Sequence, residues 1–147
     1  MHPTFKRFSG RRQAGRQYEN YIAQILRDEG WEVIDNGVNG VNDHGIDLIA
    51  SKDGVKRYVQ CKGFSWKKFI HEDVVSHLYG SVAAYEGPEN LNGVEIYLYS
   101  PAQLDDYTKR EIEILHIHYV RQDFPKSHYI NLSRSRFRKR FHRYNEN

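Results

Sequence analysis

Cysteine is nearly missing: Cys61 is the only one among 147 residues. An internal disulfide is therefore impossible, and a reduced, intracellular (cytoplasmic) setting is the expectation. No run of about 18 apolar residues occurs, which excludes a membrane-spanning helix. The N-terminus lacks the apolar core of a signal peptide. No segment repeats. A chain of this length buries roughly 70% of its unfolded surface. It needs neither a disulfide nor a structural metal, and one domain is expected.

Charge is present in both signs and unevenly spread. The net charge is +3. Residues 1–17 carry Lys6, Arg7, Arg11, Arg12 and Arg16 with no acid. Residues 132–147 carry Arg134, Arg136, Arg138, Lys139, Arg140 and Arg143 against Glu146 alone. The body between them is net acidic. Basic ends on an acidic body suit an anionic polymer held near a cation-binding site. Solvated basic tails are the plainer alternative. Three segments are expected: a basic arm over residues 1–13, one domain over 14–122, and a basic tail over 123–147.

Periodicity divides the body. Residues 1–12 read as a disordered arm. From Ala14 to Glu29, Tyr18, Tyr21, Ile22, Ile25 and Leu26 recur at helical spacing, and Gly30 suits the end of that helix. Trp31–Ile34 alternates as a short strand, and Asn36–Gly45 is a loop. A second helix is predicted from Ile70 to Tyr85, with Ile70, Val74, Leu78 and Val82 as its apolar stripe. Gly87-Pro88 breaks it. Val94–Tyr99 is a strand, Leu104–Leu115 a third helix, and His116–Val120 a last strand. This alternation predicts an α/β fold, a mixed central sheet flanked by helices.

The densest chemistry lies on one predicted hairpin. Asp53-Gly54 separates two apolar runs, the strongest short hairpin signal. Counting outward from that turn, Leu48 faces Val59 and Asp47 faces Gln60. Opposed residues share a face, with Cβ atoms roughly 5 Å apart. Lys62, two residues beyond Gln60, points to the same face. A carboxylate, an amide oxygen and an ammonium thus gather together. That set suits Mg²⁺, or Mn²⁺, with a phosphate group. The backbone carbonyl of Cys61 adds a candidate ligand. Lys62 is placed to offset charge in a phosphoryl transition state. A half-exposed hairpin turning polar residues to water fits the same pattern.

Further residues surround this core. Glu19 flanks the apolar stripe of the first helix and offers a second carboxylate to the metal; a solvated border glutamate is the alternative. Lys67 and Lys68, beside Trp66, suit contacts to a nucleic-acid backbone and a stacked base. A surface turn explains them equally. Asp43 and His44 could touch a phosphate, although loop polarity accounts for both. His116-x-His118 carries a zinc possibility, set against a strand with two half-exposed histidines. Tyr97 and Tyr99 read as sheet packing. The candidate nucleic-acid contacts are Arg11, Arg12, Arg16, Lys67, Lys68, Arg134, Arg136, Arg138, Lys139 and Arg140.

Taken in order, Gly15-x-x-Tyr18-Glu19-x-x-Ile22-Ala23-x-x-Leu26, Gly30-Trp31-x-Val33, Gly45-Ile46-Asp47-Leu48-Ile49-Ala50 and Val59-Gln60-Cys61-Lys62 resemble Mrr-type restriction endonucleases. These belong to the PD-(D/E)xK nuclease superfamily. Val74-x-x-x-Leu78-x-Gly80 resembles the helix that follows the motif there. The resemblance covers about residues 14–100. It implies a restriction-endonuclease-like fold and divalent-metal phosphodiester hydrolysis. It implies metal ligands at Asp47 and Gln60, a catalytic Lys62, and an acidic helix residue at Glu19. Gln60 in place of an acid follows the Mrr-like variant. The chain departs from the family in carrying no separate DNA-recognition domain, so little sequence specificity is expected. A small stand-alone domain also resembles archaeal Holliday-junction resolvases, which are homodimers, but their motif has Glu where Gln60 stands. A non-catalytic DNA-binding protein and an RNA nuclease complete the alternatives.

Overall fold

The computed structural model of the chain describes residues 3–36 and 45–125, with side chains from residue 15 onward. Helix α1 (Pro3–Asp28) leads into β1 (Glu32–Asp35), β2 (Leu48–Lys52) and β3 (Val55–Cys61). A two-residue strand β4 (Phe69–Ile70) precedes α2 (Glu72–Glu86) and a 3₁₀ helix (Pro88–Gly93). Then follow β5 (Val94–Ser100), β6 (Gln103–Leu104), α3 (Asp106–Ile114) and β7 (His118–Arg121). The central sheet has the order β1-β2-β3-β5-β7. β1, β2 and β3 pair antiparallel, whereas β5 and β7 join in parallel. The sheet is therefore mixed, as the alternating elements predict.

The hairpin forms as counted. Asp53 and Gly54 take φ values of 51° and 82°, the doubly left-handed pattern of the tight hairpin turn. The register runs from Lys52↔Val55 to Leu48↔Val59.

Each face of the sheet is covered by helices. Tyr18, Ile22, Ala23 and Leu26 of α1 pack on Leu48, Ala50, Val59, Cys61 and Tyr99. Val75, Leu78 and Val82 of α2, with Ile112 of α3, pack on Tyr58, Ile96 and Leu98. Residues 58–61 are all buried, because a central strand covered on both sides has no polar face.

Three expectations need correction. The first helix begins at Pro3, not Ala14, so residues 3–12 are helical rather than a disordered arm. Proline is well accommodated there, since the first turn leaves its N–H positions unpaired in any case. In α2 the buried residues are Val75, Leu78 and Val82, with Val74 only partly covered; the helix starts at Glu72, so Ile70 belongs to β4 and does not set the stripe. The last strand starts at His118 rather than His116. His116 has φ 55° and closes α3: its N–H reaches the Glu113 carbonyl at 3.3 Å, and the Ile117 N–H reaches the Ile112 carbonyl at 3.0 Å. That is a left-handed helix terminus of the Schellman type.

Candidate active site

The site is built where β2 begins and the antiparallel β3 runs on past it. Asp47 precedes the first residue of β2, and its backbone is held on both sides. Its N–H donates to the Val59 carbonyl at 2.8 Å, and its carbonyl accepts from Asn36 N–H at 2.9 Å. The Asn36 side chain donates to the Ile46 carbonyl at 3.0 Å. The Asp47 carboxylate, 9% exposed, turns inward and accepts the Cys61 N–H at 2.7 Å.

Strand alternation sorts the rest. Val59 and Cys61 face α1, whereas Tyr58 faces α2; Gln60 and Lys62 follow Tyr58 at a period of two. Successive N–H and C=O groups alternate in the sheet plane too. The Lys62 N–H bonds to Tyr99 of β5 at 2.9 Å, while Cys61 turns its N–H toward Asp47. The Cys61 carbonyl shares that side, beyond the end of β2.

Gln60 is 5% exposed, and its Oε1 has no hydrogen-bond partner among the described residues. A buried, unpaired amide oxygen is costly. Gly45 makes room for this side chain. A Cβ there would lie 3.1 Å from Gln60 Nε2, and its φ of +96° already favours glycine.

Lys62 is half-buried, with Nζ 5.8 Å from the centre of the Phe64 ring. It has no ion-pair partner among the described residues. Glu19 lies on α1, half-buried, next to Tyr18. Tyr18 packs so closely on Gly63 that a Cβ added to the glycine would sit 3.1 Å from the tyrosine Cβ. α1 is thereby pinned over the end of β3.

The electrostatics agree with this placement. Burial pushes the Cys61 thiol well above its ordinary pKa, and the negative charges of Asp47, Glu19 and Asp35 push it further in the same direction. Cys61 therefore feels the charge of all three carboxylates. Asp35 was not anticipated. It closes β1 and stands opposite Leu48, a pairing made across the loop between β1 and β2 that no local pattern reveals.

Among the described residues no group of three His, Cys, Asp or Glu side chains is close enough to hold a metal by itself. The oxygen donors that this end of the sheet offers are of another kind: the Asp47 carboxylate, the Gln60 side-chain amide and the Cys61 backbone carbonyl, with Glu19 on α1. These are hard donors, the type that Mg²⁺ prefers, and the unpartnered Gln60 Oε1 is the atom such an ion would satisfy.

The other candidates distribute as follows. Arg16, Lys67 and Lys68 are exposed. Arg11 and Arg12 lie on α1, but their side chains fall outside the described residues, as do Asp43, His44, Arg134, Arg136, Arg138, Lys139 and Arg140. His116 and His118 do not share a strand face: His116 ends α3, while His118 stacks on Tyr97 at 4.6 Å. Tyr97 also stacks on Tyr99 at 6.0 Å and on the Arg57 guanidinium at 3.7 Å.

A restriction-endonuclease family profile, that of the Mrr catalytic domain, matches residues 11–92. The chain belongs to the Mrr-type restriction endonuclease family. It carries a restriction-endonuclease-like catalytic domain, which suggests a DNA nuclease. Among solved structures, a protein of unknown function is similar with a TM-score of 0.51 and 16% identity, over 70% of this chain and 56% of that one. That likeness supports the fold. EndoMS in its apo form has a TM-score of 0.41 and 17% identity, over 53% of this chain and 32% of that one. The MspJI restriction endonuclease, in complex with a 27-mer oligonucleotide, has a TM-score of 0.49 and 15% identity, over 80% of this chain and 27% of that one. The chain spans less than two thirds of each of these proteins. No curated protein sequence matches it. Among the described residues no helix is long and apolar enough to cross a membrane.

Proposed function

We propose that this Mrr-type domain is a Mg²⁺-dependent DNA endonuclease that hydrolyses phosphodiester bonds with little base information of its own; Mn²⁺ would serve the same ligands. The observation that carries the reading is the buried Gln60 Oε1, without a partner, beside a carboxylate fixed by the Cys61 N–H. Asp47, Gln60 and the Cys61 carbonyl would hold the ion, and Glu19 would complete its shell from α1. When bound, Mg²⁺ supplies Lewis-acid polarisation of the phosphate and a lower pKa for a water.

The chain's own residues do the remaining work. Asp47 has one oxygen committed to Cys61, which fixes the direction of the other. Lys62, half-buried beside Phe64, offsets the negative charge that grows on the phosphoryl oxygens as water attacks phosphorus in line and an ester oxygen leaves. The basic ends hold the DNA backbone, a contact with little sequence content.

The test incubates purified full-length protein with linear duplex, supercoiled, single-stranded, flap and four-way-junction DNA in Mg²⁺, Mn²⁺ or EDTA. Cleavage in either metal and none in EDTA is expected. DNA binding that survives EDTA, with no cleavage in either metal, would identify a non-catalytic DNA-binding protein instead. Cleavage confined to four-way junctions by a dimer would identify a resolvase, and cleavage of RNA alone a ribonuclease.

A further inference from the structure

The segment between β3 and β4 combines order with exposure. Its backbone is tied down at several points. The Lys62 N–H bonds to Tyr99 at 2.9 Å, and the Lys68 N–H bonds to the Ser65 carbonyl at 2.9 Å. Gln103 clamps it from β6: its side-chain amide donates to the Trp66 carbonyl at 3.0 Å, and its N–H donates to the Lys68 carbonyl at 2.9 Å. β4 then pairs with β6 as a small second sheet, Phe69 opposite Gln103. Despite these ties the Trp66 ring is 57% exposed. Scattered exposed apolar residues need no explanation. A fixed loop that holds an indole out of the core, beside a candidate active site, is a different situation.

Cations flank the rings along this loop. The Lys67 ammonium lies 5.5 Å from the Trp66 ring centre. Those of Lys62 and Lys68 lie 5.8 and 5.7 Å from the Phe64 ring centre. Phe64 itself packs against the α2-side core. Rings interleaved with ammoniums are the chemistry of single-stranded nucleic-acid binding, in which bases stack on aromatic faces and lysines meet phosphates. An intact duplex keeps its bases stacked and presents no ring face to an outlying indole. Only a base that has left the stack can lie on Trp66.

We propose that Trp66 is a stacking platform for an unpaired DNA base close to the cleaved phosphate, with Lys67 and Lys68 on the flanking phosphates. The substrate class is DNA with an unpaired nucleotide at the cut: a flap, a gap, a mismatch or a single strand. This inference rests on the endonuclease reading and narrows it. Trp66 lies four positions after Lys62, at most roughly 14 Å of extended chain, so the stacked base and the cleaved phosphate belong to neighbouring nucleotides.

The test measures binding in EDTA by the anisotropy of labelled DNA, using a single strand, a flap duplex and a blunt duplex. For Trp66→Ala the ratio of single-strand to blunt-duplex affinity is expected to fall on the order of tenfold, the scale of one base–aromatic stack. Trp66→Phe, which keeps a ring, should restore most of that ratio. In a Trp31→Phe background Trp66 is the only tryptophan left, and single-stranded oligothymidine should quench its emission while blunt duplex does not. An unchanged ratio in Trp66→Ala, or emission unaltered by oligothymidine, overturns the platform. Cleavage by the wild type in Mg²⁺, measured in parallel, separates the two claims. Cleavage with an unchanged ratio removes the platform and leaves the nuclease. A ratio that falls as expected, in a protein that cleaves nothing, keeps the platform and removes the nuclease. Absence of both cleavage and DNA binding removes the two together.

Discussion

One oxygen of the Asp47 carboxylate accepts the backbone N–H of Cys61 at 2.7 Å, closing the gap left where β2 ends beside the longer β3. The bond satisfies a buried donor and aims the carboxylate at the same time. Structure and proposed chemistry therefore meet in one side chain, and substitutions can separate them.

Asp47→Asn keeps an oxygen able to accept from Cys61 but removes the charge. It should leave the melting temperature nearly unchanged and reduce cleavage by at least about 100-fold. Asp47→Ala should also lower stability by about 1–3 kcal/mol, because the Cys61 N–H loses its partner in a buried place. Lys62→Ala should cost about 10²–10³ in rate with little effect on folding. Cleavage assays and thermal melts of the three variants give the comparison. Wild-type cleavage by a folded Asp47→Asn or Lys62→Ala would remove these residues from the site.

Glu19 should act through the metal if it completes the shell. Glu19→Gln is then expected to raise the Mg²⁺ concentration needed for half-maximal cleavage while the rate at saturating Mg²⁺ falls less. A metal titration that overlays on wild type would return Glu19 to the solvated border of α1.

Gly45 should matter through Gln60. A Cβ at this position would sit 3.1 Å from Gln60 Nε2, on a backbone with φ +96°. Gly45→Ala should destabilise the fold by about 1 kcal/mol or more and displace the amide. Its loss of cleavage should therefore exceed what the loss of folded protein explains. Activity that simply tracks the folded fraction would show that Gln60 is not held by this contact.

Glu86 sets an acid limit. Its pKa is lowered first by the hydrogen bond from Tyr58 and next by that from Lys56, the latter an ion pair at 3.0 Å. A carboxylate depressed in the folded state contributes stability above its ordinary pKa of 4.5, and this is lost as pH falls through the lower folded value. Glu86→Gln should lower the melting temperature at pH 7 and flatten its decline on the acid side. Parallel curves for variant and wild type across that range would exclude the contribution.

The basic C-terminus, beyond the described residues, is expected to hold phosphates. Each phosphate neutralised adds about 0.9 to the log–log salt slope of duplex binding. Deleting residues 134–147 should weaken binding to all sequences alike and flatten that slope, with cleavage recovered at low salt and high protein concentration. Unchanged affinity and slope would exclude the tail as a DNA contact.

The sequence by itself determined what depends on neighbours along the chain. Asp53-Gly54 sets a two-residue turn, the turn sets the register, and a period of two then carries Gln60 and Lys62 to one side of β3. The stripe of α1 follows in the same way from the spacing of its apolar residues, whereas the buried side of α2 runs through Val75 in place of Val74 and excludes Ile70. Tertiary structure decided what depends on distant segments meeting. Asp35 stands opposite Leu48 only because β1 pairs with β2 across an intervening loop. α1, which carries Glu19, lies over the end of β3 because Tyr18 seats on Gly63. The Asp47 carboxylate turns inward because the Cys61 N–H, past the end of β2, has no strand partner there. The backbone at Trp66 is tied down because Gln103 of β6, far along the chain, grips its carbonyl. Periodicity carries no record of these meetings, since each is a hydrogen bond or a packing contact between segments whose separation in sequence is large and whose approach is set by the closing of the core.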